Sequence, residues 1–172
     1  TDGTPTSARA RALVGAGALA WRQQSSDRAR SLLEDAVAAC RETGETAGLA
    51  TALKHLGLLA LHGRPPAPDQ ARWLFEESLE LRRSLDDRDG VASCLNDLAV
   101  LAIEQRDFAL AERHLRESED LCRELGHRYG LSFVLNNLSL VALEQQDFAR
   151  AASLIRESLE LARSLGGRES LS

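Results

Sequence analysis

The chain has 172 residues, 44% of them hydrophobic and 27% charged, enough for a continuous core and outside the ranges of disordered and fibrous chains. A net charge of −5 and only 4% aromatic residues leave neither the basic stripe nor the stacking platforms that nucleic-acid binding requires. Apolar runs such as Leu98 to Ile103 are too short to span a bilayer, and no charged start followed by an apolar stretch and cleavage site is present, so a cytoplasmic protein is expected.

Apolar residues recur at three- and four-residue spacing along nearly the whole chain, which predicts amphipathic helices at 7–23, 27–43, 46–62, 68–85, 88–105, 108–125, 128–145 and 148–165. Stop signals lie between them. Ser26, Asp107 and Asp147 stand where a helix N-cap would accept from first-turn amides, and Pro68 suits a first helical turn. Gly44, Gly63, Gly126 and Gly166 follow helices, where a left-handed terminal residue is cheapest as glycine. Glu112 with Arg116 and Glu119 with Arg123 are i,i+4 pairs expected to mark a solvated face.

The helices come in pairs that repeat. Ser93-Cys-Leu-Asn-Asp-Leu-Ala aligns with Phe133-Val-Leu-Asn-Asn-Leu-Ser at an offset of 40, and Leu53-Lys-His-Leu-Gly is the same element 42 residues before Leu95. The expected domain is a single solenoid over 7–166, with repeats at 8–47, 48–89, 90–129 and 130–169. Residues 1–6 are expected to be a flexible N-terminus, and 167–172 the start of a truncated fifth repeat. Cys40 and Cys122 are equivalents two repeats apart, beyond disulfide reach, and with Cys94 they read as reduced, semi-buried thiols.

Leu95, Leu98, Ala99, Ala102, Ala111, Leu115 and Ser118, matched by Leu135, Leu138, Ser139, Ala142, Ala151, Ile155 and Ser158, resemble the tetratricopeptide repeat (TPR). Leu53, Leu56, Gly57, Ala60, Ala71, Phe75 and Ser78 carry the same pattern, and the copy from Leu13 to Ala36 carries it more loosely. The resemblance implies an all-α, right-handed superhelical solenoid of four helix-turn-helix repeats. Two departures stand out: the unit is longer than the family's usual length of about 34 residues, and Arg41, Arg83, Arg123 and Arg163 replace the proline that commonly ends the second helix. Both are similar to the lengthened repeats of kinesin light chains and of bacterial transcription activators that carry a switch ATPase domain.

In that family the first helices line a concave groove. Carried across by position, the groove residues are Lys54, Leu58, Leu61 and His62, then Asn96, Val100, Ile103 and Glu104, then Phe133, Asn136, Asn137, Leu140, Leu143 and Glu144. The asparagines have two readings: they hold a bound peptide's backbone, since an amide donates and accepts at once, or they bridge neighbouring helices. The resemblance implies a non-catalytic scaffold that binds a protein, a peptide or a small inducer, as the sensor or interaction domain of a larger bacterial regulatory protein. Its alternatives are a homo-oligomerisation module that self-associates through terminal repeats, or the non-catalytic part of a signalling ATPase or enzyme.

No cofactor, metal or catalytic constellation is expected. Gly15-Ala-Gly17-Ala-Leu-Ala20 matches a dinucleotide fingerprint in letters but lacks the preceding strand, and Gly17 falls on a small packing position. His55, His62, His114 and His127 are scattered, Glu104 and Glu144 have no nucleophile beside them, and Trp21, Trp73, Phe75, Phe108, Tyr129 and Phe148 read as packing residues.

Overall fold

The structure, a computed structural model, describes residues 6–169, with side chains for residues 6–164. Among the described residues the helices are α1 (Ser7–Arg22), α2 (Ser26–Thr43), α3 (Thr46–Leu61), α4 (Pro68–Ser84), α5 (Arg88–Glu104), α6 (Phe108–Glu124), α7 (Arg128–Glu144) and α8 (Phe148–Glu169). The class is all-α, as expected. By contact the chain divides into two compact units, the first ending at Asp87 and the second beginning at Arg88. In the first, α1 packs on α2 and α3 on α4, with α3 also against α1 and α2; in the second, α5 to α8 repeat that arrangement. Within each unit consecutive helix pairs therefore stack as in a solenoid.

Small residues on each first helix let the second helix approach. A Cβ on Gly17 would lie 2.6 Å from Leu33 Cγ, and one on Gly57 would lie 2.5 Å from Phe75 Cε1. In the second unit Ala99 and Leu115 occupy the equivalent positions of one core cluster, both fully buried. The second helix is also tied to the first through a serine: Ser78 donates to the Ala50 carbonyl at 2.7 Å, Ser118 to Ala92 at 2.8 Å and Ser158 to Ser132 at 2.8 Å. In the first repeat this position is Ala36, buried and without a hydroxyl.

The turns follow one rule with mixed chemistry. Gly44 and Gly126 are left-handed as expected (φ 69° and 65°), but Gln24, Asp86, Arg106 and Gln146 adopt the same region without being glycine. Gly63 does not; it is needed because a Cβ there would lie 2.7 Å from the Leu59 carbonyl oxygen. Gly166 lies inside α8, which continues to Glu169 rather than ending at 165; an interior glycine costs about 1 kcal/mol and does not by itself stop a helix. Residues 167–169, expected to open a fifth repeat, belong to α8, and 170–172 lie outside the described residues. At the other end Thr6 caps α1 by accepting from the Arg9 amide, while 1–5 lie outside the described residues.

Asp107 and Asp147 cap α6 and α8, accepting from the Leu110 and Arg150 amides at 3.0 Å. Ser26 is the first residue of α2, and Ser25 takes the cap position without a side-chain bond.

Two of the arginines that replace the family's proline tie one repeat to the next. Arg41 reaches Glu77 on α4 at 3.0 Å, and its equivalent Arg123 reaches Glu157 on α8 at 2.9 Å. The expected solvated face on α6 is only partly so. Glu119 is buried beneath Arg116 and Arg123, and Glu112 is held mainly from the next repeat, by Gln145 at 3.0 Å and Arg150 at 2.5 Å. The Gln145 hydrogen bond, with Arg150 and Arg116 nearby, keeps the Glu112 carboxyl below its ordinary range.

Candidate functional site

Groove positions differ in what the packing leaves open. In the first unit Lys54 and Leu58 are half-buried on α3, whereas Leu61 is 3% exposed and belongs to the core rather than to a groove wall. Leu61 ends α3 in a run of three buried residues, Leu59, Ala60 and Leu61. His62, exposed, stacks on Trp21 at 6.1 Å between ring centroids, which joins the ends of α1 and α3.

In the second unit the positions form two parallel stripes. Asn96, Val100 and Ile103 on α5 are half-buried, and Glu104 is exposed. On α7 the stripe lies open: Phe133, Leu140 and Leu143 are 50%, 42% and 41% exposed, with exposed Asn136 between the first two. Three large apolar side chains at helical spacing on one open face remove less surface from water than a folded core would. Glu144 closes this stripe in an ion pair with Arg106 at 3.1 Å.

One pair of asparagines takes the bridging role that the sequence left open. Asn137 donates from Nδ2 to Asn96 Oδ1 at 2.9 Å, bridging α7 and α5, so this pair is structural. Asn136, the repeat equivalent of Asn96, is exposed on α7.

Beside the stripes lies a recess of about 250 Å³, walled by Ala92, Ser93 and Asn96 of α5, by Ser118 and Cys122 of α6, and by Val134 of α7. Tyr129 and Phe133, edge to face at 4.9 Å, stand at its rim. Asp89 and His127 close one end in contact through Oδ1 and Nδ1. Composition and spacing do not disclose this recess. Tyr129 reads from sequence as a packing residue but is 60% exposed, as Trp73 and Phe148 are also exposed. The available signal was a comparison of repeat equivalents: Cys122 stands where Arg82 stands one repeat earlier.

None of the three cysteines is in a disulfide, and all are fully buried rather than semi-buried. Burial pushes the Cys122 thiol up, opposed by the Ser118 hydroxyl and reinforced by Asp89; burial and Glu45 do the same to Cys40. These are protonated packing groups and not activated nucleophiles. The described residues hold no group of three or more histidine, cysteine or carboxylate side chains placed to bind a metal. No helix among them is long and apolar enough to cross a membrane.

Two family models, both described as tetratricopeptide repeat, match residues 68–124 and 134–170, together more than half of the chain. Among solved structures the chain is similar to the crystal structure of BtubC (BKLC) from P. vanneervenii, with a TM-score of 0.78 at 22% identity over 92% of this chain. It spans 65% of that protein's length, and at this identity the likeness concerns the fold. None of the curated proteins matches the chain in sequence. Repeat pattern, paired helices and family match agree that the chain belongs to the tetratricopeptide repeat family.

Proposed function

We propose that the chain is a non-catalytic scaffold that binds an extended peptide or protein segment along the α7 stripe. The observation that carries this reading is the open row of Phe133, Asn136, Leu140 and Leu143. Three apolar side chains supply burial, and one amide can donate to and accept from a peptide backbone. The family generally serves protein interaction, which supports the same conclusion. We place the chain in the cytoplasm, as the sensor or interaction part of a larger bacterial regulatory protein; its lengthened repeat unit and its arginine-rich, lysine-poor composition support that context.

Selection from a displayed peptide library tests the reading. Peptides that bind the wild type should lose at least about tenfold in affinity to Leu140→Asp, which sets an unpaired carboxylate in the contact. Retention of full affinity in that variant would place the binding surface elsewhere.

A further inference from the structure

The recess beside α7 sits at positions that the first unit handles differently. Residues 11, 51 and 93 are repeat equivalents, as are 40, 82 and 122, and 45, 87 and 127. In the first unit these sets supply a guanidinium and a carboxylate from within the chain. Arg11 pairs with Glu45 at 2.9 Å. Arg82, largely buried, meets Asp87 at 2.5 Å and reaches the Thr51 hydroxyl at 3.3 Å. In the second unit Ser93, Cys122 and His127 occupy the three positions, and none is arginine or acid. The space stays open as the recess of about 250 Å³.

A carboxylate is nonetheless present. Asp89, in the first turn of α5, lines the recess and touches His127. Its repeat equivalent in the first unit is Ala47, so the acid has moved from the turn onto the helix while the arginine has disappeared. The walls suit an arginine side chain from end to end. Ala92 and Val134 provide apolar surface for its methylenes, Ser93 is the repeat equivalent of Thr51, whose hydroxyl meets Arg82, and Tyr129 and Phe133 line the same space with the aromatic rings that attract a planar cation. The carboxylate can take a two-pronged guanidinium contact that an ammonium cannot match.

We infer that this recess receives an arginine side chain of the bound polypeptide, the partner supplying the guanidinium that Arg11 and Arg82 supply internally in the first unit. The inference rests on the reading of α7 as a peptide-binding surface, with Phe133 shared between stripe and recess. It adds a sequence requirement: an arginine in the segment that lies along α7. The net charge of −5 favours such a partner at long range.

The test is an NMR titration of the whole chain with N-acetyl-arginine methylamide, using the lysine and norleucine amides as comparators. The arginine amide should shift the backbone amides of Ser93, Gly130 and Phe133 saturably and bind about tenfold more tightly than either comparator. Asp89→Asn, an exposed change that leaves the core intact, should remove that preference. Cys122→Arg should fill the recess from within and abolish the response, with circular dichroism showing whether the helices persist. Equal shifts from the norleucine amide, or an arginine preference retained in D89N, would overturn the assignment. Library-selected peptides separate the two readings. If they bind along α7 and are indifferent to D89N and C122R, the recess assignment fails and the groove stands. If no peptide is selected while the arginine amide still saturates, the groove reading fails and the guanidinium chemistry of the recess stands.

Discussion

Asn137 Nδ2 donates to Asn96 Oδ1 at 2.9 Å, and this bond separates two asparagines that the repeat makes equivalent. Asn96 is engaged by the following repeat, whereas Asn136, 40 positions later, is exposed on α7. Asn96→Ala leaves a half-buried amide without its acceptor and should cost about 1 kcal/mol of stability. Asn136→Ala should leave the urea midpoint unchanged and weaken binding of library-selected peptides. Equal losses of stability in the two variants would return both residues to a structural role.

Glycines in the first helices should respond in opposite directions. Nothing lies within 4 Å of a Cβ on Gly15, so Gly15→Ala should stabilise the chain by about 0.5–1 kcal/mol through helix propensity alone. On Gly57 the same Cβ would press into the fully buried Phe75 ring, and overpacking of about 1–3 kcal/mol outweighs the propensity gain. Thermal melts of the two variants should move to opposite sides of the wild type.

Turn chemistry gives a third comparison. Asp86 is left-handed at φ 52°, where its equivalents are Gly44 and Gly126. Asp86→Gly should gain about 0.5 kcal/mol, and Gly126→Ala should lose about 1 kcal/mol, because only glycine adopts that region without Cβ strain. Denaturant midpoints at constant m-value decide it.

His55 sets a pH dependence in the first unit. Desolvation holds its pKa below the ordinary 6.5, with Lys54 and Arg82 acting in the same direction, although its Nδ1 bond to the Thr51 carbonyl at 2.8 Å acts against them. The unfolded chain therefore binds the proton more readily than the folded one. Stability from this group is complete above about pH 6.5 and declines as pH falls toward the depressed folded value. Urea midpoints between pH 8 and 5.5 should fall more steeply for wild type than for His55→Gln. Parallel slopes would mean that the imidazole is as well solvated folded as unfolded.

Periodicity was enough to place every helix, because an apolar stripe at helical spacing has one burial solution and aspartate or proline marks several of the starts. Small positions such as Gly57 were legible for the same reason: they recur in register opposite large residues. The groove was legible only as positions, since burial depends on what packs alongside, and Leu61 was lost to the core on that account. Left-handed turns at Gln24, Arg106 and Gln146 carried no residue signal, because neighbouring helices impose the turn on whatever side chain is there. The recess left no mark in composition or spacing. It arises from a cysteine at a position where an arginine stands in the preceding repeat. Likewise, Arg41 and Arg123 read as a missing proline signal, and only three-dimensional packing shows them reaching Glu77 and Glu157.

Whether partners lie along α7 is tested most directly by backbone amide shifts of the whole chain, titrated with a peptide selected from a displayed library. Saturable shifts should concentrate at Phe133, Asn136, Leu140 and Leu143. Shifts confined to α6 and α8, or library selection that yields no peptide, would rule out α7 as the binding surface.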